Sequence, residues 1–199
     1  MKSTFYAIAL IFSVSLLAFK VNPKEKVFKI PVNTKTSTVS WLGKKVTGQH
    51  SGNVSLQSGS VEFSTGKLKT GMFEIDMNSI SCTDLKGEYA NKLVGHLKSD
   101  DFFGVAKFPK ATLKITNVSY TEKNKADVTG DLTIKGITKA VSFPAIIEIN
   151  GKNLTANATI SVDRTLYDIK YGSGSFFDNL GDKAIDNEFK LTVNLKTGN

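Results

Sequence analysis

Residues able to do acid–base, metal or nucleophilic chemistry are few and scattered in this sequence. The chain has two histidines, His50 and His96, and one cysteine, Cys82, with no spacing typical of paired metal ligands. Asp100 and Asp101 are adjacent, so their side chains diverge in most backbone conformations and form a solvated turn rather than a catalytic pair. We therefore predict no metal site, no resident cofactor and no catalytic centre.

Two polar residues remain as candidates for contact with a ligand. His50, within Gly48–Gly52, can hydrogen-bond a polar head group, although a strand histidine bonded to backbone or water is the favoured interpretation. Arg164 is the only arginine of the chain. Its guanidinium can meet an anionic head group, but we favour a structural pair with Asp163 or another strand acid.

The charge distribution argues against a nucleic-acid partner. The formal net charge is +8, but the lysines are spread along the whole chain and no arginine-rich or aromatic-interleaved block occurs. A solvated surface is the favoured interpretation, and transient attraction to an anionic membrane surface is the second.

The N-terminal residues predict export. Lys2 is followed by an apolar run from Phe5 to Phe19, which is shorter than a spanning helix requires and typical of a secretory signal. We predict a signal peptide at residues 1–21, one domain at residues 22–199 and a periplasmic or otherwise exported protein; an uncleaved tether is the alternative. A single cysteine allows no internal disulfide, and we expect Cys82 to be a buried small hydrophobe. The oligomeric state stays open, a homodimer included.

The dominant hydrophobic period from Val27 onwards is two, which predicts strands with one buried and one wet face. A spacing of four breaks this period and predicts a helix over Asp84–Lys98, with Asp84 as its N-cap. About eight strands joined by short turns, without a βαβ rhythm, predict an all-β sandwich or an antiparallel barrel. Turn residues are predicted at Gly59, Gly66, Asn124, Gly136, Asn150–Gly151 and Gly181.

Several segments resemble the YceI-like family. The most specific are HLKSDDFF at residues 96–103 and FPKATL at residues 108–113. Weaker resemblances lie at Ser37–Gly52, Gly130–Lys139 and Val162–Tyr167. The resemblance implies a lipocalin-like extended antiparallel β-barrel of about eight strands, with one helix capping or crossing an end. It also implies export to the periplasm and an internal apolar tunnel that holds a polyisoprenoid such as a prenyl quinone or prenyl pyrophosphate.

This resemblance leads us to expect binding, storage or transport of a lipid, without catalysis. An eight-stranded barrel either fills with side chains or holds one small ligand. The alternatives are therefore a filled barrel that binds another envelope protein, and an enzyme acting on a lipid or quinone through His50. Candidate ligand-binding residues come from the apolar stripes, the signature and the two polar candidates: Trp41, His50, Phe63, Phe73, Ile75, Phe102, Phe103, Leu132 and Arg164.

Overall fold

The computed structural model describes residues 25–198, and the signal peptide predicted at residues 1–21 lies outside that range. Within it the chain forms nine strands, one α-helix and two short 3₁₀ helices. The bounds are β1 (Phe28–Pro31), β2 (Thr38–Lys45), β3 (Gly48–Ser64), β4 (Lys67–Cys82), α1 (Gly87–Lys98), β5 (Lys110–Tyr120), β6 (Lys125–Ile134), β7 (Ile137–Asn150), β8 (Asn153–Asp163) and β9 (Ile185–Lys196), with 3₁₀ helices at Arg164–Tyr167 and Gly181–Lys183.

Strands β2 to β9 form a closed antiparallel barrel. Their order around the wall is β3, β2, β9, β8, β7, β6, β5 and β4, and the pairing of β4 with β3 closes the ring. Strand β1 is additional: it pairs with the second half of β3, where Phe28 lies opposite Phe63. Closure leaves none of the eight strands with a free edge for pairing with other chains. The prediction of an eight-stranded barrel is confirmed.

The alternation in the sequence places one face of each strand inside the barrel. On β6, Val128, Leu132 and Ile134 are buried, whereas Thr129 and Thr133 between them point away from the interior. Burying each such aliphatic side chain stabilises the fold by about 1.5–3 kcal/mol. Interior packing therefore fixes the register of the strands, because a slip by one residue would turn every buried side chain outwards.

One predicted turn is wrong. Gly59 lies inside β3, where it pairs with Phe73 of β4. A Cβ at this position would lie 3.0 Å from the Phe73 ring and 3.2 Å from Val32, so close packing explains the glycine. The other predicted turn positions lie between strands or at the second 3₁₀ helix, at Gly66, Asn124, Gly151, Gly136 and Gly181.

The predicted helix is present, but it begins later than expected. Asp84 is not its N-cap, because the Asp84 carboxylate accepts a hydrogen bond from Ser51 N at 2.9 Å and lies 2.8 Å from His50 Nδ1. The N-cap is Lys86, which makes no side-chain capping bond. Helix α1 packs against β4, and Leu97 reaches the interior wall. The helix therefore lies across one end of the barrel, here called the helix end.

Candidate functional site

The barrel interior contains two adjoining cavities. The upper chamber, next to the helix end, has a volume of about 130 Å³, and the lower chamber has a volume of about 110 Å³. The two chambers share four lining residues, Val39, Ile75, Leu132 and Leu191, which form the constriction between them. Because one water needs only about 10–15 Å³ by this kind of measure, side chains leave much of the interior unfilled.

The lower chamber is apolar throughout. Every residue that lines it is aliphatic or phenylalanine, including the predicted residues Phe73, Ile75 and Leu132. Two of its wall residues on β8, Ala156 and Ala158, are small and leave room in the lumen. A wall without hydrogen-bonding groups offers water no partners, so this chamber suits a hydrocarbon.

The upper chamber brings together six of the nine residues predicted from the sequence. They come from β2, β4, β6, the loop after α1 and the first 3₁₀ helix: Trp41, Ile75, Leu132, Phe102, Phe103 and Arg164. Hydrogen bonds and ring packing fix their orientation. Trp41 Nε1 donates to the Ser81 carbonyl at 3.0 Å, and the Phe103 ring meets Phe189 edge-to-face with centroids 6.2 Å apart. Whether these side chains contact a ligand stays a prediction.

Together the chambers form a tunnel along the barrel axis. On β9, the lining residues run from Ile185 in the upper chamber to Leu195 in the lower chamber. Ten residue steps along a tilted strand correspond to about 25 Å along the axis. The tunnel is therefore long and narrow, a shape suited to an extended hydrocarbon chain.

An irregular seam between β2 and β9 gives the upper chamber a rim of exposed residues. Gly43 pairs with Phe189 and Lys45 pairs with Ile185, so Lys44 alone faces residues 186–188 of β9. Lys44, Asp186 and Glu188 are exposed and also line the upper chamber. We call this seam the β2–β9 mouth. It joins the apolar interior to the barrel surface.

Arg164 does not form the predicted structural salt bridge. Its guanidinium is 3% exposed and donates to three carbonyl oxygens: Nε to Asp186 at 2.9 Å, Nη1 to Ile169 at 2.8 Å and Nη2 to Ile185 at 3.0 Å. Asp163 instead accepts from the backbone and hydroxyl of Thr165. Burial lowers the pKa of Arg164, opposed by the charges of Asp163 and Asp186. Arg164 thus holds the β9 side of the mouth through the backbone.

Tyr167, on the same 3₁₀ helix, has the one buried side-chain polar atom without a hydrogen-bond partner in residues 25–198. Its side chain is 1% exposed, and burial raises the pKa of its hydroxyl to about 12. Tyr167 belongs to the buried apolar core and lines neither chamber.

Two predicted ligand residues lie outside both chambers. Phe63 is buried against β1, where its ring stacks on Phe28 with centroids 5.7 Å apart. His50 lies on the β2–β3 hairpin and contacts Asp84. Burial raises the pKa of Asp84, but hydrogen bonds from Ser51 N, His50 and Cys82 outweigh it and hold the value at about 2. Cys82 is half-buried with its thiol 3.2 Å from Asp84 Oδ1, so the prediction of a buried apolar cysteine is wrong.

His96 joins α1 to the loops of the helix end. Its ring packs edge-to-face on Phe102 at 4.9 Å and on Tyr171 at 4.5 Å, and its Nε2 lies 3.5 Å from Asp101 Oδ2. Phe102 in turn lies under Arg164, with 5.9 Å from Cζ to the ring centroid. The family-like HLKSDDFF segment therefore builds the upper wall and fastens the helix to it.

Sequence reasoning missed the part of the wall that comes from β8 and β9. Phe189, Leu191, Ala156 and Ala158 all line a chamber. Their alternation with polar residues was visible, and the two alanines at alternate positions were a signal of free space. Alternation alone does not distinguish a packed core from the wall of a cavity.

Neither a metal cluster nor a spanning helix occurs in the described part of the chain. Residues 25–198 contain no group of three or more His, Cys, Asp or Glu side chains placed to hold a metal ion. Over the same residues, no helix combines the length and the apolar character needed to cross a bilayer.

Solved structures with the same fold include two exported-type barrels of low sequence identity. BcnA from Burkholderia cenocepacia superimposes with a TM-score of 0.67 at 24% identity, over 84% of this chain and 99% of that one. A polyisoprenoid binding domain from Saccharophagus degradans, implicated in plant cell wall breakdown, superimposes with a TM-score of 0.60 at 14% identity, over 87% of this chain and 98% of that one. At these identities the likeness shows the fold.

Sequence relatives match over a shorter stretch. A UPF0312 protein from Pseudomonas fluorescens is 36% identical over 95 residues, which are 48% of this chain and 47% of the relative. A UPF0312 protein from Shewanella denitrificans is 36% identical over 89 residues, 44% of each chain. The chain thus spans about half the length of the curated relatives it matches. The family model of the YceI-like domain, in contrast, matches residues 31–197, and the chain belongs to the YceI-like family.

Proposed function

We propose that this protein binds a polyisoprenoid or similar amphiphilic lipid, of the prenyl quinone or prenyl pyrophosphate type, inside its barrel. The observation that carries the proposal is the pair of unfilled apolar chambers. At about 24 cal/mol per Å³, an empty cavity of either size costs about 3 kcal/mol. Both together cost a large part of the 5–15 kcal/mol by which domains are stable, and a hydrocarbon chain in the tunnel removes that cost.

Membership of the YceI-like family supports the same ligand class. The structural neighbour from Saccharophagus degradans is described as a polyisoprenoid binding domain, and it shares the fold. The chamber walls of this chain supply the chemistry such a ligand needs, because the lower chamber is wholly apolar and the upper chamber ends at a polar mouth.

The physiological role in this proposal is storage or transport of the lipid by an exported protein. The apolar run of residues 5–19 supports export, and the closed barrel shields a lipid tail from water on its way through an aqueous compartment. The chambers argue against a filled barrel that acts only through its surface. Catalysis through His50 lacks support, because His50 lies on the hairpin outside both chambers.

The experiment compares the co-purified lipid of wild type with that of a chamber-filling variant. Ala158→Phe places a ring in the lower chamber, whereas Ala140→Phe places the same ring on the exposed face of β7 as a matched control. Native mass spectra are recorded before and after organic extraction of protein exported by a bacterial host. We expect an extractable lipid adduct on wild type and A140F, and a reduced or absent adduct on folded A158F. Folded wild-type protein with a bare mass, or equal adducts on all three proteins, would contradict the proposal.

A further inference from the structure

The tunnel is strongly asymmetric in polarity. None of the residues lining the lower chamber carries a polar side chain. All the charged residues that line either chamber belong to the upper one and surround the β2–β9 mouth: Lys44, Arg164, Asp186 and Glu188. An amphiphile therefore has one favourable orientation, with its tail in the lower chamber and its head at the mouth, because a buried head without hydrogen-bond partners is costly.

The charges at the mouth balance one another. Arg164 is buried, and three of its nitrogens already donate to carbonyl oxygens of the backbone, so its cation is committed to the protein. At the exposed rim, the single ammonium of Lys44 stands against the carboxylates of Asp186 and Glu188. Counting all four side chains, the mouth has no net formal charge.

Such a mouth is poorly suited to a pyrophosphate. A head group with several negative charges would lie near two carboxylates and would find only one exposed ammonium among the lining residues. Phosphate sites are usually built from arginine forks, lysines or free backbone N–H groups, and here the arginine fork is occupied. A hydroxyl or carbonyl head carries no such penalty and can bond to Lys44 or to water at the rim.

We propose that the β2–β9 mouth is a head-group site for an uncharged hydroxyl or carbonyl group, and that it selects against multiply charged phosphate heads. This inference rests on the proposed function and adds the orientation and head-group class of the ligand. Selection is electrostatic, so it resides mainly in Asp186 and Glu188 and weakens as ionic strength rises.

The test uses probes that share one tail and differ in their heads. Geranylgeraniol, a menaquinone with a geranylgeranyl tail and geranylgeranyl pyrophosphate are titrated into delipidated protein. Trp41, the only tryptophan of the chain and a wall residue of the upper chamber, reports binding through its fluorescence. We expect the alcohol and the quinone to bind roughly tenfold or more tightly than the pyrophosphate at low salt.

Charge-neutralising variants test whether the mouth causes the difference. The double variant D186N/E188Q should narrow the ratio of alcohol to pyrophosphate affinity by about tenfold, while E148Q on the exposed face of β7 should leave it unchanged. Circular dichroism checks each fold, and the wild-type ranking alone tests the inference if the double variant fails to fold. Equal or tighter binding of the pyrophosphate, or an unchanged ratio in the double variant, would overturn the head-group site. Failure of all three probes to bind would instead overturn the proposed function.

Discussion

Replacing Arg164 with methionine should cost the fold about 3 kcal/mol. The side chain is buried and donates three hydrogen bonds of 2.8–3.0 Å to the carbonyls of Ile169, Ile185 and Asp186. Each carbonyl left without a donor costs about 1–3 kcal/mol, so the three together cost about 3–9 kcal/mol. Methionine fills much of the same space and removes a buried cation, which offsets part of that loss.

Urea unfolding followed by Trp41 fluorescence and far-UV circular dichroism measures the effect in delipidated protein. Arg164→Lys keeps the charge but lacks the planar fork that reaches three carbonyls, so we expect it to lose about half as much stability. Lys190→Met, at an exposed position of β9, is the matched control and should change stability by less than about 0.5 kcal/mol. A loss below about 1 kcal/mol for R164M would refute the clamp that we assign to Arg164.

Three further predictions concern buried, charged and glycine positions. Tyr167→Phe removes a buried hydroxyl without a partner, so urea unfolding should show no loss and up to about 1 kcal/mol of gain; a clear loss would reveal a missing partner. Asp84 has a folded-state pKa of about 2, below its unfolded value, so the stability it contributes is present above about pH 4 and lost as pH falls towards 2. Asp84→Asn should therefore lower the melting temperature at pH 7 and converge with wild type near pH 2; parallel curves would contradict this. Gly52→Ala should destabilise by about 3 kcal/mol or more, since its Cβ would overlap the Ser81 carbonyl, whereas Gly95→Ala in open space on α1 should gain up to about 1 kcal/mol; similar melting temperatures for the two variants would contradict this.

The strands and their closure were predictable because they depend on local alternation and on turn chemistry. Val128, Leu132 and Ile134 alternate with threonine and aspartate, and this pattern has one solution in a sheet with a buried face. Gly59 shows where local reasoning fails. A glycine between two polar stretches reads as a turn, but Phe73 on the neighbouring strand requires the missing side chain.

The site was predictable in part, since its aromatic and aliphatic wall residues follow the same alternation. The role of Arg164 was not, because three backbone carbonyls from two separate segments converge on it only in the folded barrel. The β2–β9 mouth likewise arises from a register shift between strands more than 140 residues apart in sequence, which no local pattern encodes. Asp84 was assigned to the helix, but Ser51 and His50 of β3 compete successfully for its carboxylate.

A crystal structure of protein exported by a bacterial host and purified without detergent tests the central claim most directly. The lipid-binding account predicts one elongated density that begins in the lower chamber, passes Ile75 and Leu132 and ends at the β2–β9 mouth. Chambers that hold only water, or a lipid bound on the outer face of the barrel, would contradict it.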